Sequence, residues 1–276
     1  VEGAGTIIYD IPFAPTITDY AVFLVELDTT GLYLQWKFME TSYYEPYYTS
    51  AFFELDSNVN IYISVMLYDI LINGSWIENP SMAYVCKLNK NLDLVWTLNE
   101  DSWNIEIYGF SKSTDNRFYE YGMYWVSKSL DSLRIGDITI FPEGESRFGY
   151  YLAEIDSSGN VLRIKTFSED FENFIVKSPD ILYRAFTNLY DVMIETVTLD
   201  ELQYWQFEIE NTGGSASFRY TMDIDKDGNL YAQGYYRGEI RIINETLQGS
   251  GIIFVKFDND GKLKWFVLLL FSGTAL

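Results

Sequence analysis

The residue types that carry most enzyme chemistry are scarce in this chain. Its 276 residues include no His and a single Cys, Cys86. Ser–His–Asp triads, Cys–His pairs, His-ligated metals and internal disulfides therefore cannot be assembled from it. Carboxylates are plentiful, with 40 Asp and Glu side chains. Glycoside hydrolysis, which needs only two carboxylates at a set separation, is the enzyme chemistry that this composition leaves open.

No pair of acids stands out as catalytic. Catalytic carboxylates of this kind commonly lie on the inner strands of a fold. The strands that we expect to be the first of each strand quartet, described below, carry the charged residues Glu54, Lys177 and Asp223, and few other side chains there could meet at one point. Cys86 lies in an apolar strand pattern, which favours a buried small residue over the alternative of a reactive thiol. We therefore expect that the protein is not an enzyme.

One acidic run imitates a calcium loop. Asp223, Asp225 and Asp227, followed by Gly228, match the first half of such a loop. Position twelve would be Gly234 in place of the bidentate Glu, so the EF-hand pattern fails. The same residues suit a tight turn, in which Asp accepts hydrogen bonds from backbone amides. We expect a turn and no cofactor, with calcium as the weaker alternative.

The charge balance argues against some partners. The chain has 19 Lys and Arg, and its formal net charge is −21. Such a chain repels a nucleic-acid backbone and an anionic lipid surface. Without imidazole, a carboxylate-rich surface titrates mainly in acid, which suits the exterior of an acidophile. Together with a chain that starts at Val1 without Met, this composition predicts an extracellular, cell-surface or virion protein.

Membrane insertion is not expected. The longest wholly apolar run, 265–271, has seven residues and is too short to span a bilayer. Aromatic residues make up 18% of the chain. Aromatic and β-branched side chains suit pleated, half-buried surfaces, so we expect an all-β protein.

An internal repeat organises the chain. Its first motif is an apolar strand, a short turn of Asp, Asn or Gly, and a second strand that ends in Trp. The copies are FLVELDTTGLYLQW (23–36), YVCKLNKNLDLVW (84–96), ETVTLDELQYW (195–205), FVKFDNDGKLKW (254–265) and the Trp-less YLAEIDSSGNVLRI (151–164). Apolar and polar residues alternate with period two in these segments, which indicates β-strands.

A second motif alternates with the first. It is a strand, a polar turn and a strand that carries Tyr, and its copies contain Tyr62, Tyr119, Tyr183 and Tyr231. Each period therefore holds four strands. Quartets of short strands at a period of roughly 40 to 60 residues are typical of β-propeller blades.

Two segments carry a family resemblance. They are DIDKDGNLYAQGYYRG (223–238) and IIFVKFDNDGKLKWFV (252–267). Together they resemble the bacterial and archaeal β-propeller repeat written D-x-x-G-N-x-Y-x-x-G, then F-V-x-K-[LF]-D-x-x-G-x-x-x-W. The match is close over 217–270 and degenerate elsewhere. The resemblance implies four-stranded blades on a surface or secreted protein, and it supplies no active site.

We predict a single propeller domain over 1–276, with five blades. Four of the blades are 50–98, 105–167, 173–208 and 217–270. Strands at 21–27 and 32–38 form part of a closing blade within 1–38, which Thr6–Ile11 and the chain end after Phe271 would complete. The alternatives are a six-bladed ring, an open array, or exchange of a strand such as Val1–Phe13 with a neighbouring subunit.

The predicted blades have two unlike ends. One end carries short acidic turns, and the other carries the long connections at 40–49, 71–81, 127–148 and 211–215, where binding is more common. The candidate binding residues are Tyr43, Tyr44, Tyr47, Tyr48, Trp76, Trp103 and Phe141. These rings suit a protein partner or a sugar, and the alternative is that they pack between neighbouring blades.

Two sequons for N-linked glycosylation, Asn73-Gly-Ser and Asn244-Glu-Thr, are predicted at this same end. Our first hypothesis is therefore a non-enzymatic structural or adhesion glycoprotein, which associates with a protein partner or with itself, for example in a filament or a virion. The second is a carbohydrate-active module, either a lectin or a propeller-type glycoside hydrolase, acting on glycans.

Overall fold

The fold is all-β, as the alternation of the sequence predicted. The computed structural model describes residues 21–27, 33–41, 51–66, 70–72, 75–77, 83–99, 105–113, 115–125, 132–141, 148–167, 173–178, 180–188, 191–198 and 203–270. This part of the chain contains 22 strands and no helix. It accordingly contains no helix that could cross a membrane.

The strands follow one another with short connections. The first eleven are β1 Ala21–Leu27, β2 Tyr33–Thr41, β3 Ala51–Leu55, β4 Ile61–Met66, β5 Ile70–Ile72, β6 Ser75–Ile77, β7 Ala83–Leu88, β8 Leu94–Asn99, β9 Ile105–Lys112, β10 Phe118–Trp125 and β11 Leu133–Ile135. The others are β12 Ile138–Ile140, β13 Phe148–Ile155, β14 Val161–Phe167, β15 Asn173–Ser178, β16 Ile181–Asn188, β17 Asp191–Thr198, β18 Gln203–Asn211, β19 Ser215–Ile224, β20 Leu230–Ile242, β21 Glu245–Phe257 and β22 Leu263–Leu270.

The described residues include four antiparallel quartets of strands. Quartet 1 has the order β3-β4-β7-β8, and quartet 2 has the order β9-β10-β13-β14. Quartet 3 is β15-β16-β17-β18, and quartet 4 is β19-β20-β21-β22. These quartets begin and end within three residues of the predicted ranges 50–98, 105–167, 173–208 and 217–270.

Quartets 3 and 4 are not separate sheets. β18 pairs with the far end of β20, from Ile209↔Ile242 to Asn211↔Ile240. The pairing arises because β20 and β21 each have 13 residues and extend beyond the rest of their quartet. The last eight strands therefore form one continuous sheet.

The predicted loop 71–81 contains two strands. β5 and β6 pair with each other, and β5 pairs with β2 through Glu40↔Leu71 and Thr41↔Ile70. The resulting N-terminal sheet has the order β1-β2-β5-β6. Asn73-Gly74, a strong hairpin dipeptide between short apolar segments, is the sequence signal for this hairpin. β2, the last strand of the predicted closing blade, therefore has a strand paired on both sides and is not a sheet edge. Thr6–Ile11, the other predicted strand of this blade, lies outside the described residues.

A second predicted loop, 127–148, also contains a hairpin. β11 and β12 pair from Leu133↔Ile140 to Ile135↔Ile138. Gly136 and Asp137 form the turn, with Gly136 at φ 56°. Gly-Asp between two strands is itself a hairpin signal, because Gly adopts a positive φ without steric cost.

Trp36 is not equivalent to the other motif tryptophans. Trp96, Trp205 and Trp265 lie opposite Lys87, Thr196 and Lys256 in the registers of their sheets. In the corresponding register of β1 and β2, Gln35 lies opposite Glu26, and Trp36 comes one residue later. Since a shift of one residue exchanges the two faces of a strand, the spacing of sixty residues between Trp36 and Trp96 does not make the two equivalent.

By packing, the chain divides into two compact units. The first comprises Val1–Phe110, Gly122–Phe148 and Ser158–Ile164, and the second comprises Ser111–Tyr121, Gly149–Ser157 and Lys165–Leu276. One core cluster of the first unit contains the buried side chains of Ile63, Val65, Tyr84, Cys86 and Leu88. A larger cluster of the second unit includes Tyr183, Ile194, Leu230, Tyr236 and Phe257. Both clusters come from the alternating apolar positions of the repeat.

Candidate functional site

The short acidic turns share one backbone geometry. In each turn the first residue donates its amide to the carbonyl four residues on, and the fourth residue donates its amide back to the first. The first residues of these turns are Asp56, Asn89, Ser113, Asp225 and Asp258. The fourth residues, Val59, Leu92, Asn116, Gly228 and Gly261, all have a positive φ. This pattern is that of a three-residue hairpin loop that ends in a left-handed residue.

The calcium candidate lies in one of these turns. Oδ1 of Asp225 accepts hydrogen bonds from the amides of Asp227 and Asn229 over 3.0 and 2.9 Å. Oδ2 of Asp225 accepts from the side chains of Asn229 and Tyr231 over 2.8 and 3.1 Å. The side-chain hydrogen bond from Asn229 is the main reason that the pKa of Asp225 falls to about 2.

The turn therefore accounts for Asp225 without a cation. Oδ1 of Asp223 accepts the amide of Ile224 over 2.8 Å, outside the turn. Asp227 is exposed. Among the described residues, no three His, Cys, Asp or Glu side chains are grouped so that they could hold a metal ion.

Quartet 1 carries a row of side chains that links its turn to its outer strand. Tyr62, Lys87 and Trp96 lie opposite one another on β4, β7 and β8. The Tyr62 hydroxyl donates to Oδ2 of Asp56 over 3.2 Å. Nζ of Lys87 lies 4.9 Å from the centre of the Tyr62 ring, and the Tyr62 and Trp96 rings meet edge to face at 5.9 Å.

Quartet 4 repeats this row. Tyr231, Lys256 and Trp265 lie opposite one another on β20, β21 and β22. Nζ of Lys256 lies 4.6 Å from the centre of the Tyr231 ring and 3.7 Å from Oδ2 of Asp225. The Tyr231 and Trp265 rings are 6.1 Å apart. The recurrence indicates that Asp, Tyr, Lys and Trp of the motif stabilise the quartet, since cation–π and aromatic pairs each contribute about 0.5–1.5 kcal/mol.

The outer-strand tryptophans also pack on the turn of the quartet that follows. A Cβ built at Gly159 would lie 2.9 Å from Cδ2 of Trp96, and one at Gly261 would overlap the indole of Trp205. Both glycines occupy the left-handed position of a turn between the third and fourth strands of their quartet. The indole of one quartet thus leaves room only for a glycine in the turn of the next quartet.

Quartet 2 lacks the Trp, and charged side chains occupy the positions of the Trp and the Lys of the motif. Arg163 stands where the sequence motif has Trp, and Glu154 stands where it has Lys. Glu154 is buried and pairs with the guanidinium of Arg117, which also lies 3.0 Å from Oδ2 of Asp115. A buried carboxylate is tolerated here because a cation neutralises it.

The other buried acids have local partners as well. Glu120 accepts a hydrogen bond from the Tyr151 hydroxyl over 2.9 Å. Glu195 pairs with Arg184 and accepts from Gln203 over 2.6 Å. These contacts satisfy the carboxylates structurally.

The candidate inner residues Glu54, Lys177 and Asp223 lie in three different quartets, on β3, β15 and β19. Nζ of Lys177 donates to the carbonyl of Asn259 over 3.4 Å. No catalytic pair can be nominated from these contacts.

A narrow cleft in the second unit has little that could bind a polar ligand. Its lining is Tyr121, Tyr151, Leu152, Phe167, Phe174, Leu182 and Arg184. The Tyr121 and Phe174 rings pack edge to face at 4.2 Å, and Arg184 is already paired with Glu195. A substrate site has several convergent polar groups, which this lining lacks.

Cys86 is a core residue. Its side chain is fully buried, and burial raises the pKa of its thiol to about 12. A thiol that stays protonated at neutral pH is a poor nucleophile.

The predicted aromatic binding patch is described only in part. Tyr43, Tyr44, Tyr47, Tyr48 and Trp103 lie outside the described residues, and Trp76 is placed only as a backbone position on β6. Phe141 directly follows β12, and its side chain is 68% exposed. This ring is therefore largely open to solvent.

Two exposed rings that sequence reasoning missed lie at the same end of quartet 2. Trp125 ends β10 and is 39% exposed, and Phe148 begins β13 and is 57% exposed. These strands are antiparallel neighbours, so both rings are at the end from which the connection 126–147 leaves. The sequence signal for these two rings was their position at either end of a long connection, where side chains are often exposed.

Of the two sequons, Asn73 lies outside the described residues. Asn244 is in the turn between β20 and β21, and it is exposed, as are Glu245 and Thr246.

Comparisons with known proteins give a distant structural likeness. No protein-family model matches the chain, and no curated protein is significantly similar to it in sequence. A crystal structure of a protein of unknown function from Bacteroides caccae is similar over 87% of this chain and 73% of that one, at 10% identity and a TM-score of 0.38.

Proposed function

We propose that this chain is a non-enzymatic structural or adhesion protein of an extracellular or virion setting, whose aromatic end binds a protein partner or a second copy of the chain. The exposed rings of Phe141, Trp125 and Phe148 are the observation that carries the proposal. Trp125 and Phe148 lie at one end of quartet 2, Phe141 lies in the connection between them, and exposed aromatic side chains of this size are costly to leave in water. Aromatic residues of this kind supply most of the binding energy at protein interfaces.

We propose also that the quartets are blades of a five-bladed propeller. The support is that each quartet is antiparallel and that the outer-strand Trp packs on the next quartet's turn in both described instances. Trp265 on β22 is 42% exposed, whereas Trp96 and Trp205 are more deeply packed. In the proposed ring, the N-terminal sheet follows quartet 4, and one of its turns covers the indole of Trp265.

Gly31 is the residue that would provide this cover. Five residues separate Leu27 from Tyr33, and five separate Phe257 from Leu263, with the same shift of register beside each turn. Gly31 holds the fourth of the five positions, as Gly261 does. The ring that we propose therefore places the turn 28–32 on Trp265.

Mutation of the exposed rings tests the binding function. A Trp125→Ser, Phe141→Ser double variant should weaken self-association, or binding of a captured partner, about tenfold or more, because these rings would be the central contacts. Sedimentation velocity over a range of concentration at pH 3 to 7 measures the association. Tyr204→Ser, which removes another exposed ring, on β18, is the control and should bind like the unaltered chain.

Two results would count against the proposal. One is a chain that stays monomeric at every concentration and pH and retains no protein partner. The other is binding of a defined glycan that the double variant loses, which would identify a carbohydrate-binding module, with hydrolysis of that glycan identifying a glycosidase.

A further inference from the structure

We infer that Asn244 carries an N-linked oligosaccharide at the tip of the β20–β21 hairpin. The inference rests on the extracellular setting in the proposed function, since glycan transfer takes place outside the cytosol. It adds a modification site at a defined place in the fold.

The hairpin tip extends beyond the end of β22, while β18 pairs with the tip end of β20. β20 and β21 pair without interruption from Leu230↔Phe257 to Ile242↔Glu245, so Ile243 and Asn244 alone form the turn. β22 pairs with β21 only up to Gly251. At about 3.3 Å per residue, the six residues 245–250 carry the tip roughly 20 Å beyond the end of β22.

The acceptor residues are open to an enzyme. The side chains of Ile243, Asn244, Glu245 and Thr246 are all exposed. Asn244 and Thr246 supply the amide and the hydroxyl that the sequon requires. Ile242, directly before the turn, is fully buried and pairs with Ile209 of β18, so the surface open to a transferase begins at Ile243.

The turn is also strained. Ile243 has a φ of 55°, which is costly for a β-branched residue. A strained two-residue turn opens more readily than a relaxed one, and opening would let the Asn244 side chain adopt the geometry of an acceptor.

A glycan at this place would protect a strand edge. Residues 245–250 of β21 have no strand paired on the side facing away from β20 within the described part of the chain. An unpaired edge is a template for strand addition by another chain, and proteins commonly block such edges. A bulky, hydrated oligosaccharide beside Glu245 would block this one.

The transfer is chemically balanced with a lipid-linked oligosaccharide diphosphate as the donor. A bond forms between Nδ2 of Asn244 and C1 of the first sugar, and the bond between C1 and the diphosphate oxygen breaks. The diphosphate leaves with the electron pair, and Nδ2 loses one proton to a base of the transferase.

The test is expression of the full chain through a eukaryotic secretory pathway, followed by mass spectrometry of the tryptic peptide 242–256. We expect a glycopeptide in which peptide N-glycosidase removes the sugar and converts the side chain of Asn244 to an aspartate. Asn244→Gln and Thr246→Ala should lose the glycan, and Thr246→Ser should retain it. Glu245→Gln changes an exposed charge within the sequon and keeps it, so it is the matched control.

An unmodified 242–256 peptide in folded protein that has passed through the secretory pathway would overturn the inference. A chain that enters the pathway but is retained inside the cell would instead count against the extracellular setting, and the same peptide from the retained protein still reads the site. The two failures are therefore distinguishable.

Discussion

At the residue scale, the left-handed turn positions show where the repeat has departed from its consensus. Gly228 and Gly261 adopt a positive φ at no steric cost, whereas Val59 and Leu92 adopt φ 63° with a side chain attached. Val59 is 56% exposed and Leu92 is 4% exposed. The two residues therefore carry the same backbone strain, but only the side chain of Leu92 offsets it by burial.

Replacement of these residues by Gly should have opposite effects. Val59→Gly should raise the free energy of unfolding by about 1 kcal/mol, because the left-handed strain is relieved and little packing is lost. Leu92→Gly should lower the free energy of unfolding, because loss of a buried Leu costs roughly 2–5 kcal/mol. Urea unfolding of both variants measures the changes, and a destabilised Val59→Gly variant would contradict the account of the turn.

Asp225 should contribute stability that is lost in acid. Its pKa is about 2 in the folded chain, against 3.8 ordinarily, because Asn229 and Tyr231 donate to the carboxylate. The contribution is complete above pH 3.8 and is lost as the pH falls toward 2. Asp225→Asn should flatten the pH dependence of the unfolding midpoint in this window. A slope equal to that of the unaltered chain would refute the assignment.

At the element scale, the contact between a tryptophan and the next glycine turn joins one quartet to another. Because Trp205 leaves no room for a Cβ at Gly261, the contact requires both residue types at once. The alternation of the two motifs, the quartets and their strand bounds could be predicted from the sequence, since period-two alternation and turn residues are local signals. The contact itself could not, because it joins different copies of the repeat.

What the sequence reasoning missed has physical causes of the same kind. The β18–β20 pairing depends on the extra length of β20, and the interpretation of Trp36 failed because regular spacing does not fix register. The two small hairpins did carry local signals, in Asn73-Gly74 and Gly136-Asp137. Of the candidate site, exposure of Phe141 follows from its position in a long connection, while exposure of Trp125 depends on where the strand ends.

Gly261→Ala should be much more damaging than Gly249→Ala. Both glycines have a positive φ, 81° and 123°, but a Cβ at Gly249 meets nothing within 4 Å. We expect a loss of about 1–2 kcal/mol of unfolding free energy for Gly249→Ala and roughly 2–5 kcal/mol for Gly261→Ala, which adds overpacking to the backbone cost. Denaturant unfolding followed by tryptophan fluorescence compares them.

A double variant separates packing from backbone strain. If Trp205 is the obstacle, Gly261→Ala combined with Trp205→Ala should cost less than the sum of the single changes. Additive losses, or equal losses for the two glycine variants, would show that the indole contact does not hold the quartets together.

At the scale of the whole molecule, the ring that we propose depends on one repeated contact, in which a Trp on the fourth strand of a quartet covers the glycine turn that follows. Two instances are described, and the ring that we propose requires a third between Trp265 and Gly31. Cys86 is buried and its thiol pKa is raised, so the native chain offers no competing thiol to a crosslinker. A crosslink between cysteines introduced at positions 31 and 265 therefore shows that these two positions are in contact, as the closed ring requires.

The most direct measurement is crosslinking of a Gly31→Cys, Trp265→Cys variant with a short thiol-specific reagent, with Gly261→Cys, Trp205→Cys as the positive control. The account predicts an internally crosslinked monomer in both variants, seen as a shift in gel mobility that is independent of protein concentration. A control that crosslinks while the 31–265 pair stays free would contradict the closed ring. A crosslinked dimer of the 31–265 variant would contradict it too, because the cover would then come from a second copy.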